Sequence, residues 1–592
     1  MDKPRRATVR DAWRIARPYW VSEEKWSAWS LLLAVIALNL GNVYISVRIN
    51  EWNSAFYNAL QTFNGSEFFH QLFLFCILAA LAIIMSVYAL YLNQMLQVRW
   101  RRWLTRRYLG SWLADRAYYH LQIQNNTDNP DQRIADDLNQ FTSYALTLSL
   151  GFLTSVVSLV SFLTILWQLS GPAQIPLGTW GVINIPAYLV WAALVYAGVG
   201  TWLTIKIGRP LVSLNFARQR FEADFRFSLV RMRENAESIA MYGGEPAELN
   251  VFQQRFKSVF ENFWQIMKCQ KRLTWFTAGY SQVAIIFPVV ATAPRYFAKQ
   301  IQLGGLMQVV NAFSAVQNSL SFIVTSYGEI AAWQAVTERL IGFQERLKAI
   351  QKPSGASPKI ALEAAETSIA VKGLDLDLPD GAPLLSGIEF TLAPGEGMLI
   401  SGPTGAGKST LLRAIAGLWP FGCGEVKIGE GSVLFLPQRP YLPLGTLADA
   451  LLYPGTADER RPAGPLLTPM LNQVGLGSFV GELQTADNWS QRLSLGEQQR
   501  LAFARVLLSK PSLVFLDEAT SAMDEPSEAR LYGLLRAAPW RPTIVSVGHR
   551  NTLPAFHDRV LDLRAFASFP ADPEIDRISL GQNGLFAGIG RS

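Results

Sequence analysis

Six stretches of the chain, 27–47, 71–92, 144–168, 185–206, 276–294 and 306–330, are each long and apolar enough to cross a lipid bilayer as a helix. Hydrocarbon offers no partner to a free backbone N–H or C=O, so a crossing segment must satisfy its own, and about 20 apolar residues in a helix do so. That pattern constrains residues 1–345 to a helical membrane domain. It also explains why only 17% of the residues are charged while 50% are hydrophobic, against about 25% charged in soluble proteins. Such a composition excludes a disordered chain, a collagen and a small disulfide scaffold. Cys76, Cys269 and Cys423 are scattered without metal-ligand spacing and read as buried thiols in a reducing compartment. The first stretch is not a cleaved signal, because no small-residue cleavage site ends a short apolar core. Trp26, Trp29, Trp52, Trp180 and Trp191 fall near span ends, where indole rings favour the interface.

Lys and Arg set the orientation. Residues 1–25 hold Lys3, Arg5, Arg6, Arg10, Arg14, Arg17 and Lys25. Arg99, Arg101, Arg102, Arg106 and Arg107 follow span two, and Lys206, Arg209, Arg218, Arg220 and Arg226 follow span four. The alternate connections hold Arg48, no cation over 171–184, then Arg295 and Lys299. Both termini therefore face the cytoplasm. The net charge of +7 is topological, set beside lipid headgroups, and does not mark a nucleic-acid partner. Segments 93–143 and 207–275 are long and helix-favouring, as helices continuing out of the membrane would be. Within the first, Asn129-Pro130-Asp131 reads either as an N-cap opening a short separate helix or as an ordinary turn between two helices.

Polar residues inside the spans recur at helical spacing. Span six carries Gln308, Asn311, Ser314, Asn318, Ser321, Thr325 and Glu329 on one face; span one carries Asn39, Asn42, Ser46, Asn50 and Asn53. Span three has Thr147, Gly151, Thr154, Ser158 and Ser161, which suit helix packing. For spans one and six the amides and the ionisable Glu329 exceed what packing needs, and a stripe of polar groups facing hydrocarbon is costly. The expectation is a water-filled cavity lined by Asn39, Asn42, Ser46, Asn311, Ser314, Asn318, Ser321, Thr325 and Glu329.

Hydropathy falls after residue 345, and Lys352-Pro353-Ser354-Gly355-Ala356-Ser357-Pro358 reads as linker, within a junction expected over 346–365. From 366 short β-rich runs alternate with helical ones, the pattern of an α/β domain. Gly395-Glu396-Gly397-Met398-Leu399-Ile400-Ser401 carries a strand into Gly402-Pro403-Thr404-Gly405-Ala406-Gly407-Lys408-Ser409, and Thr410 continues as helix. This is a P-loop in its required context. Its amides converge on phosphate oxygens, Lys408 reaches the β/γ-phosphates and Ser409 serves Mg²⁺. Downstream, in order, come Gln438 after a strand, Leu493-Ser494-Leu495-Gly496-Glu497-Gln498-Gln499-Arg500, an apolar strand ending in Asp517-Glu518, and His549 after another strand. Phosphoryl transfer needs a cation site, a water-positioning carboxylate and a γ-phosphate sensor. Asp517 suits the first through water, and Glu518 the second.

This ordered set resembles the nucleotide-binding domain of ABC transporters over some 200 residues. The resemblance implies catalytic roles for Glu518, for His549 as the switch and for Gln438 in the Q-loop, with Gln438 also at the metal. It implies nucleotide contacts from the signature residues Ser494, Gly496 and Glu497 and from Asp524 in the D-loop. The adenine-stacking aromatic of that family is replaced by Leu378, and the signature has Leu495 and Glu497 where Gly and Gln are usual. The membrane half, through Asn50-Glu51-Trp52-Asn53-Ser54-Ala55-Phe56-Tyr57-Asn58-Ala59-Leu60, Asp128-Asn129-Pro130-Asp131-Gln132-Arg133-Ile134 and Glu222-Ala223-Asp224-Phe225-Arg226-Phe227, resembles BacA/SbmA-like transporters fused to an ATPase. Peroxisomal fatty-acyl ABC transporters resemble it more distantly. The resemblance implies an exporter-type fold of six transmembrane helices, joined to the α/β P-loop ATPase. It also implies a homodimer with composite ATP sites in the bacterial inner membrane, and uptake of peptides or other hydrophilic compounds. The rival readings are export of lipid or acyl cargo, which wants an apolar cavity, and an ATP-gated channel or regulator, which an intact Glu518 and His549 disfavour.

Overall fold

A computed structural model describes residues 8–123, 129–171, 173–176, 182–351, 360–365, 368–455 and 464–567. Lys3, Arg5, Arg6, Asp128, Trp180 and the Lys352–Pro358 linker lie outside them. The described chain folds as two units: 8–117 with 129–351, and 118–123 with the residues from Ile360 onward.

The first unit is helical. It contains α1 (Val9–Trp20), α2 (Lys25–Gln61), α3 (Gly65–Leu113), then α4 (Ala117–Ile123), whose residues beyond Ala117 belong to the second unit. There follow α5 (Pro130–Gln132), a π turn at Arg133–Asp137, α6 (Leu138–Ser170), α7 (Tyr188–Glu234), α8 (Ala236–Tyr242), α9 (Glu245–Phe297), α10 (Leu303–Thr325) and α11 (Tyr327–Gln351). Five of the helical runs are long and apolar enough to cross a membrane: Lys25–Gln61, Gly65–Ile123, Pro130–Ser170, Tyr188–Glu234 and Glu245–Phe297. The α10 helix has the length, 23 residues, but its polar stripe lowers its hydropathy.

Four sequence readings need correction. Span six does not run unbroken to 330: the helix stops at Thr325, and Glu329 belongs to α11. Of the two readings of Asn129-Pro130-Asp131, the capped separate helix fails: Asn129 makes no side-chain cap, and the helix that Pro130 opens runs through the π turn into α6. In the same segment α4 is set off from α3 by the left-handed Asp115 and Arg116, at φ +51° and +54°, with Ile123 packed against the apolar core of the second unit. Finally, α11 extends to Gln351, and a strand, Ile360–Ala365, already pairs in parallel with Gly422–Gly429, so the ATPase fold starts before 366. Span four starts at Tyr188, because an antiparallel ribbon, Ala173–Pro176 with Val182–Ile185, precedes it.

The α10 helix packs against α2, α6, α7 and α9. Its Val309, Ala312, Phe313 and Val316 are fully buried with Phe162, Leu166, Leu189 and Ala193. The motif at the end of α2 explains how α10 is seated. The first amides of a helix lack intrahelical acceptors. Here Gln61 Oε1 accepts from Leu303 N at 2.7 Å and Asn58 Oδ1 from Gly304 N at 2.9 Å. Gly304 admits the approach, since a Cβ there would run into the Ser54 carbonyl. Trp52 Nε1 donates to Gln71 O at 2.7 Å, tying α2 to α3. A second joint lies at Asp137, which is 1% exposed. Its carboxylate accepts from Arg133 at 2.9 Å and, in a two-pronged pair, from Arg339 of α11 at 2.9 and 2.6 Å.

The other face of α10 is open. Asn318 and Thr325 are exposed, while Asn311, Ser314 and Ser321 are half-buried. On α2, Ser46 is exposed, and Asn39 turns back to its own helix at Val35 O, 2.8 Å away. Asn42 accepts from Ser86 of α3 at 3.3 Å, so that amide serves helix packing. Glu329 is exposed on α11.

The second unit holds two sheets. One is five-stranded and parallel, in the order Arg559–Asp562, Gly397–Ser401, Thr543–Val547, Leu513–Asp517, Val433–Leu436. The other is four-stranded, in the order Ile360–Ala365, Gly422–Gly429, Ile369–Asp377, Pro383–Leu392. The inner strands of the parallel sheet are apolar on both faces, as burial on both sides requires.

Candidate ATP-hydrolysis site

Parallel strands end on the same edge of their sheet, and in open α/β sheets ligands bind at that carboxyl edge. Here it gathers the P-loop after Ser401, Gln438 after Leu436, Asp517-Glu518 at the end of the Leu513 strand and His549 after Val547. Four separate sequence segments meet for this reason alone.

In the P-loop, Gly405 and Gly407 take φ of +84° and +87°, where a side chain would be strained. A Cβ on Gly407 would also press on Leu385 and Leu384 at 3.0 and 3.1 Å. Helix Lys408–Ile415 starts there with its first amides turned toward the loop. Lys408 is buried, and its Nζ donates to Gly402 O and Pro403 O, both at 2.8 Å. Burial holds its pKa below the usual lysine range, against the raising influence of Glu518 and Asp517. An anion placed over the loop would compensate that ammonium. Thr404 and Pro403 are exposed, and Ala406 and Thr410 half-buried, around the same turn.

Ser409 Oγ donates to Asp517 Oδ1 at 2.9 Å. Burial, above all, pushes the Asp517 carboxyl above its ordinary pKa, with the neighbouring Glu518 charge adding to it. A hydroxyl beside a desolvated carboxylate fits a hard cation. Mg²⁺ is typically held by few protein oxygens plus phosphates and water, and Ser409 and Asp517 would supply the protein oxygens here.

Glu518 sits at φ +48°, a sparsely populated conformation for a residue with a side chain, fixed by its N–H donating to Val547 O at 3.0 Å. One carboxylate oxygen accepts from Gln438 Nε2 at 2.8 Å, and the other lies 3.3 Å from His549 Nε2. The structure thus joins Gln438, Glu518 and His549 in one group and Ser409 with Asp517 in another. Gln438 donates its Nε2 to Glu518, so the metal contact that the family resemblance also implies for it would be made by its Oε1.

Ser494 caps the helix Leu495–Ser509. Its Oγ and N donate to Glu497 Oε2 at 2.8 and 2.9 Å, a capping box that Glu497 closes as the usual glutamine also could. Gly496 backs onto the D-loop: a Cβ there would lie 2.8 Å from Ala522 O. Asp524 is exposed at the start of helix Glu525–Arg536. Leu378 is half-buried, opening the turn closed by its N–H to Ala382 O at 2.8 Å.

Sequence reasoning missed Gln499 and Glu528, both 0% exposed. Glu528 accepts from Thr520 and Thr552, each at 2.6 Å, with Arg550 Nη1 at 3.7 Å, and Arg550 also donates to Met523 O at 2.5 Å. This clamps the D-loop to the segment after His549. A signal was available: Glu528 precedes Leu531, Tyr532 and Leu535, and Gln499 precedes Ala502, Phe503 and Val506, so each polar residue opens an apolar helical stripe.

The family model described as ABC transporter transmembrane region 2 matches residues 15–297, and that described as ABC transporter matches 385–521. The chain belongs to the ABC transporter family. It is 37% identical to ABC transporter D family member 2, chloroplastic, of Arabidopsis thaliana, over 95% of this chain and 86% of that one. It is 33% identical to the inner membrane ABC transporter ATP-binding protein YddA of Escherichia coli, over 93% and 97%. A solved bacterial Atm1-family ABC exporter with ATP bound shares the fold, with a TM-score of 0.71 at 17% identity over 94% and 96% of the two chains. The chain therefore has the exporter-type architecture of a helical membrane domain fused to an ABC ATPase domain. These relatives support ATP-driven membrane transport; the narrower BacA/SbmA-like resemblance rests on the three sequence segments alone.

Proposed function

We propose that this ABC transporter chain works as a homodimer in the bacterial inner membrane, termini and ATPase inside, and moves hydrophilic cargo, peptides in particular, across it. One observation carries the cargo class. The packed face of α10 is apolar but for Gln317, and its open face presents Asn311, Ser314, Asn318, Ser321 and Thr325. Polar groups on an unpacked membrane helix are tolerated where they meet water.

In the ATPase, the P-loop amides and Lys408 would hold the phosphates, with Ser409 and Asp517 holding Mg²⁺. Bound there, Mg²⁺ neutralises charge on the transferring phosphoryl group. Glu518 accepts a proton-bearing hydrogen bond from water and orients it, and Gln438 and His549 hold Glu518 from either side. Signature residues Ser494 and Gly496 would complete the site of the partner, giving two identical composite sites. A leucine at 378 offers the base no ring. Leu378→Tyr should tighten ATP binding by about 0.5–1.5 kcal/mol, measured by nucleotide titration. Unchanged affinity would mean that another side chain already covers the adenine.

Cysteine reactivity tests the passage. In a Cys-free background, Ser314→Cys, Asn318→Cys and Ser321→Cys should react with membrane-impermeant thiol reagents, and transported peptide should block the reaction. Phe313→Cys and Val316→Cys, on the buried face, should not react. Equal protection of both sets would sink the hydrophilic passage and favour an apolar cargo.

A further inference from the structure

Gln499 is the one fully buried amide in the ATPase unit among the described residues, and its hydrogen bonds reach three segments that carry the proposed chemistry. Its Nε2 donates to Gln438 O at 3.0 Å, to Ser521 Oγ at 3.2 Å and to Glu518 O at 3.4 Å; its Oε1 accepts from Ala522 N at 3.1 Å. It therefore grips the Q-loop, the catalytic glutamate's peptide and the D-loop at once. The same helix begins five residues earlier at the Ser494 cap, with Gly496 against Ala522 O.

We infer that Gln499 is a positioning residue that couples the two ATP sites of the dimer, by linking the signature helix to Gln438 and Glu518 of its own chain. The inference rests on the composite-site reading above. In that arrangement Ser494 meets nucleotide bound to the partner, whereas Gln438 and Glu518 serve nucleotide bound to their own P-loop. A rigid helix joins the Ser494 cap to Gln499. Docking of Ser494 on one γ-phosphate shifts that helix, and the buried amide passes the shift to the peptide and Q-loop that set the Glu518 carboxylate in the other site. The linkage is bonded at both ends of the D-loop, because Glu528 and Arg550 fix Thr520 and Met523 to the segment after His549. Sites linked by such a two-state element bind cooperatively, with a Hill coefficient of up to about 2 for two sites.

The test measures ATPase rate against ATP concentration for the full-length protein in nanodiscs. The unaltered dimer should give a Hill coefficient near 2, and Gln499→Met, equal in size but without hydrogen bonds, a value near 1. Its maximal rate should fall less than about tenfold, because Glu518 itself remains. Gln499→Glu keeps the acceptor for Ala522 N but loses both donors, and serves where the Met variant fails to fold; it too should approach 1. A variant that melts earlier and turns over more slowly yet keeps the parent's coefficient would assign Gln499 a purely structural role and overturn the inference. A coefficient of 1 in the unaltered protein would instead overturn the composite-site reading beneath it.

Discussion

Glu518→Gln should give a protein that binds MgATP, stays closed as a dimer and hydrolyses ATP about a hundredfold or more slowly than the parent. The substitution preserves shape. Gln438 can still donate to the remaining carbonyl oxygen, so the group at the sheet edge should stay assembled. What disappears is the charge that draws a proton of the attacking water and points its lone pair at phosphorus. Removing one preorganised group of this kind typically costs about 2.7–4 kcal/mol of barrier, and each 1.36 kcal/mol is a factor of about ten. The residue's backbone argues the same way: a φ of +48° is held only where the surroundings over-determine it, as active sites tend to do. Steady-state hydrolysis by the purified variant decides the matter, with ATP binding measured in parallel. A variant keeping more than about a tenth of the parent rate would remove Glu518 from the chemistry.

Much of this arrangement was legible in the sequence because each ATPase element announces itself locally. A glycine run after a strand, or two acids ending one, specifies its own geometry, and parallel pairing then brings Ser401, Leu436, Asp517 and Val547 to one edge. The apolar spans were legible because length and hydropathy suffice to define them. Features that depend on tertiary neighbours were not. Gln499 and Glu528 look like surface residues until their apolar stripes are drawn, and the partners that satisfy them lie 8 to 61 residues away in the chain. Span six was read as continuous because its polar spacing continues past Thr325, yet the helix breaks at Ser326 and the stripe's last member passes to α11. Asn42 was read as lining water from its spacing alone, while its neighbour Ser86 arrives from another helix.

In the segment that begins at Asn129, the residue with the most structural weight is Asp137. Asp137→Ala should destabilise the membrane unit by about 3 kcal/mol, the lower end of what breaking a buried ion pair costs. Its carboxylate is 1% exposed and is shared by two arginines, Arg133 with a side chain 14% exposed and Arg339 at 36%. Alanine would take from both guanidiniums the buried carboxylate they share, although each keeps a further interaction and Arg339 can recover part of its hydration, which sets the effect at the low end. The location magnifies the consequence. Asp137 ends a π turn leading into α6, and Arg339 belongs to α11, which ends at Gln351 ahead of the ATPase strands. Losing the pair loosens α11 at its joint with the start of α6, so ATP turnover should persist while transport per ATP falls. Asp137→Asn keeps one acceptor and should lie between alanine and the parent. The measurements are the melting temperature in nanodiscs, together with ATPase and transport rates in proteoliposomes. An alanine variant that melts with the parent would show that the two arginines are satisfied without Asp137, and a variant that melts early yet couples normally would confine the pair to stability.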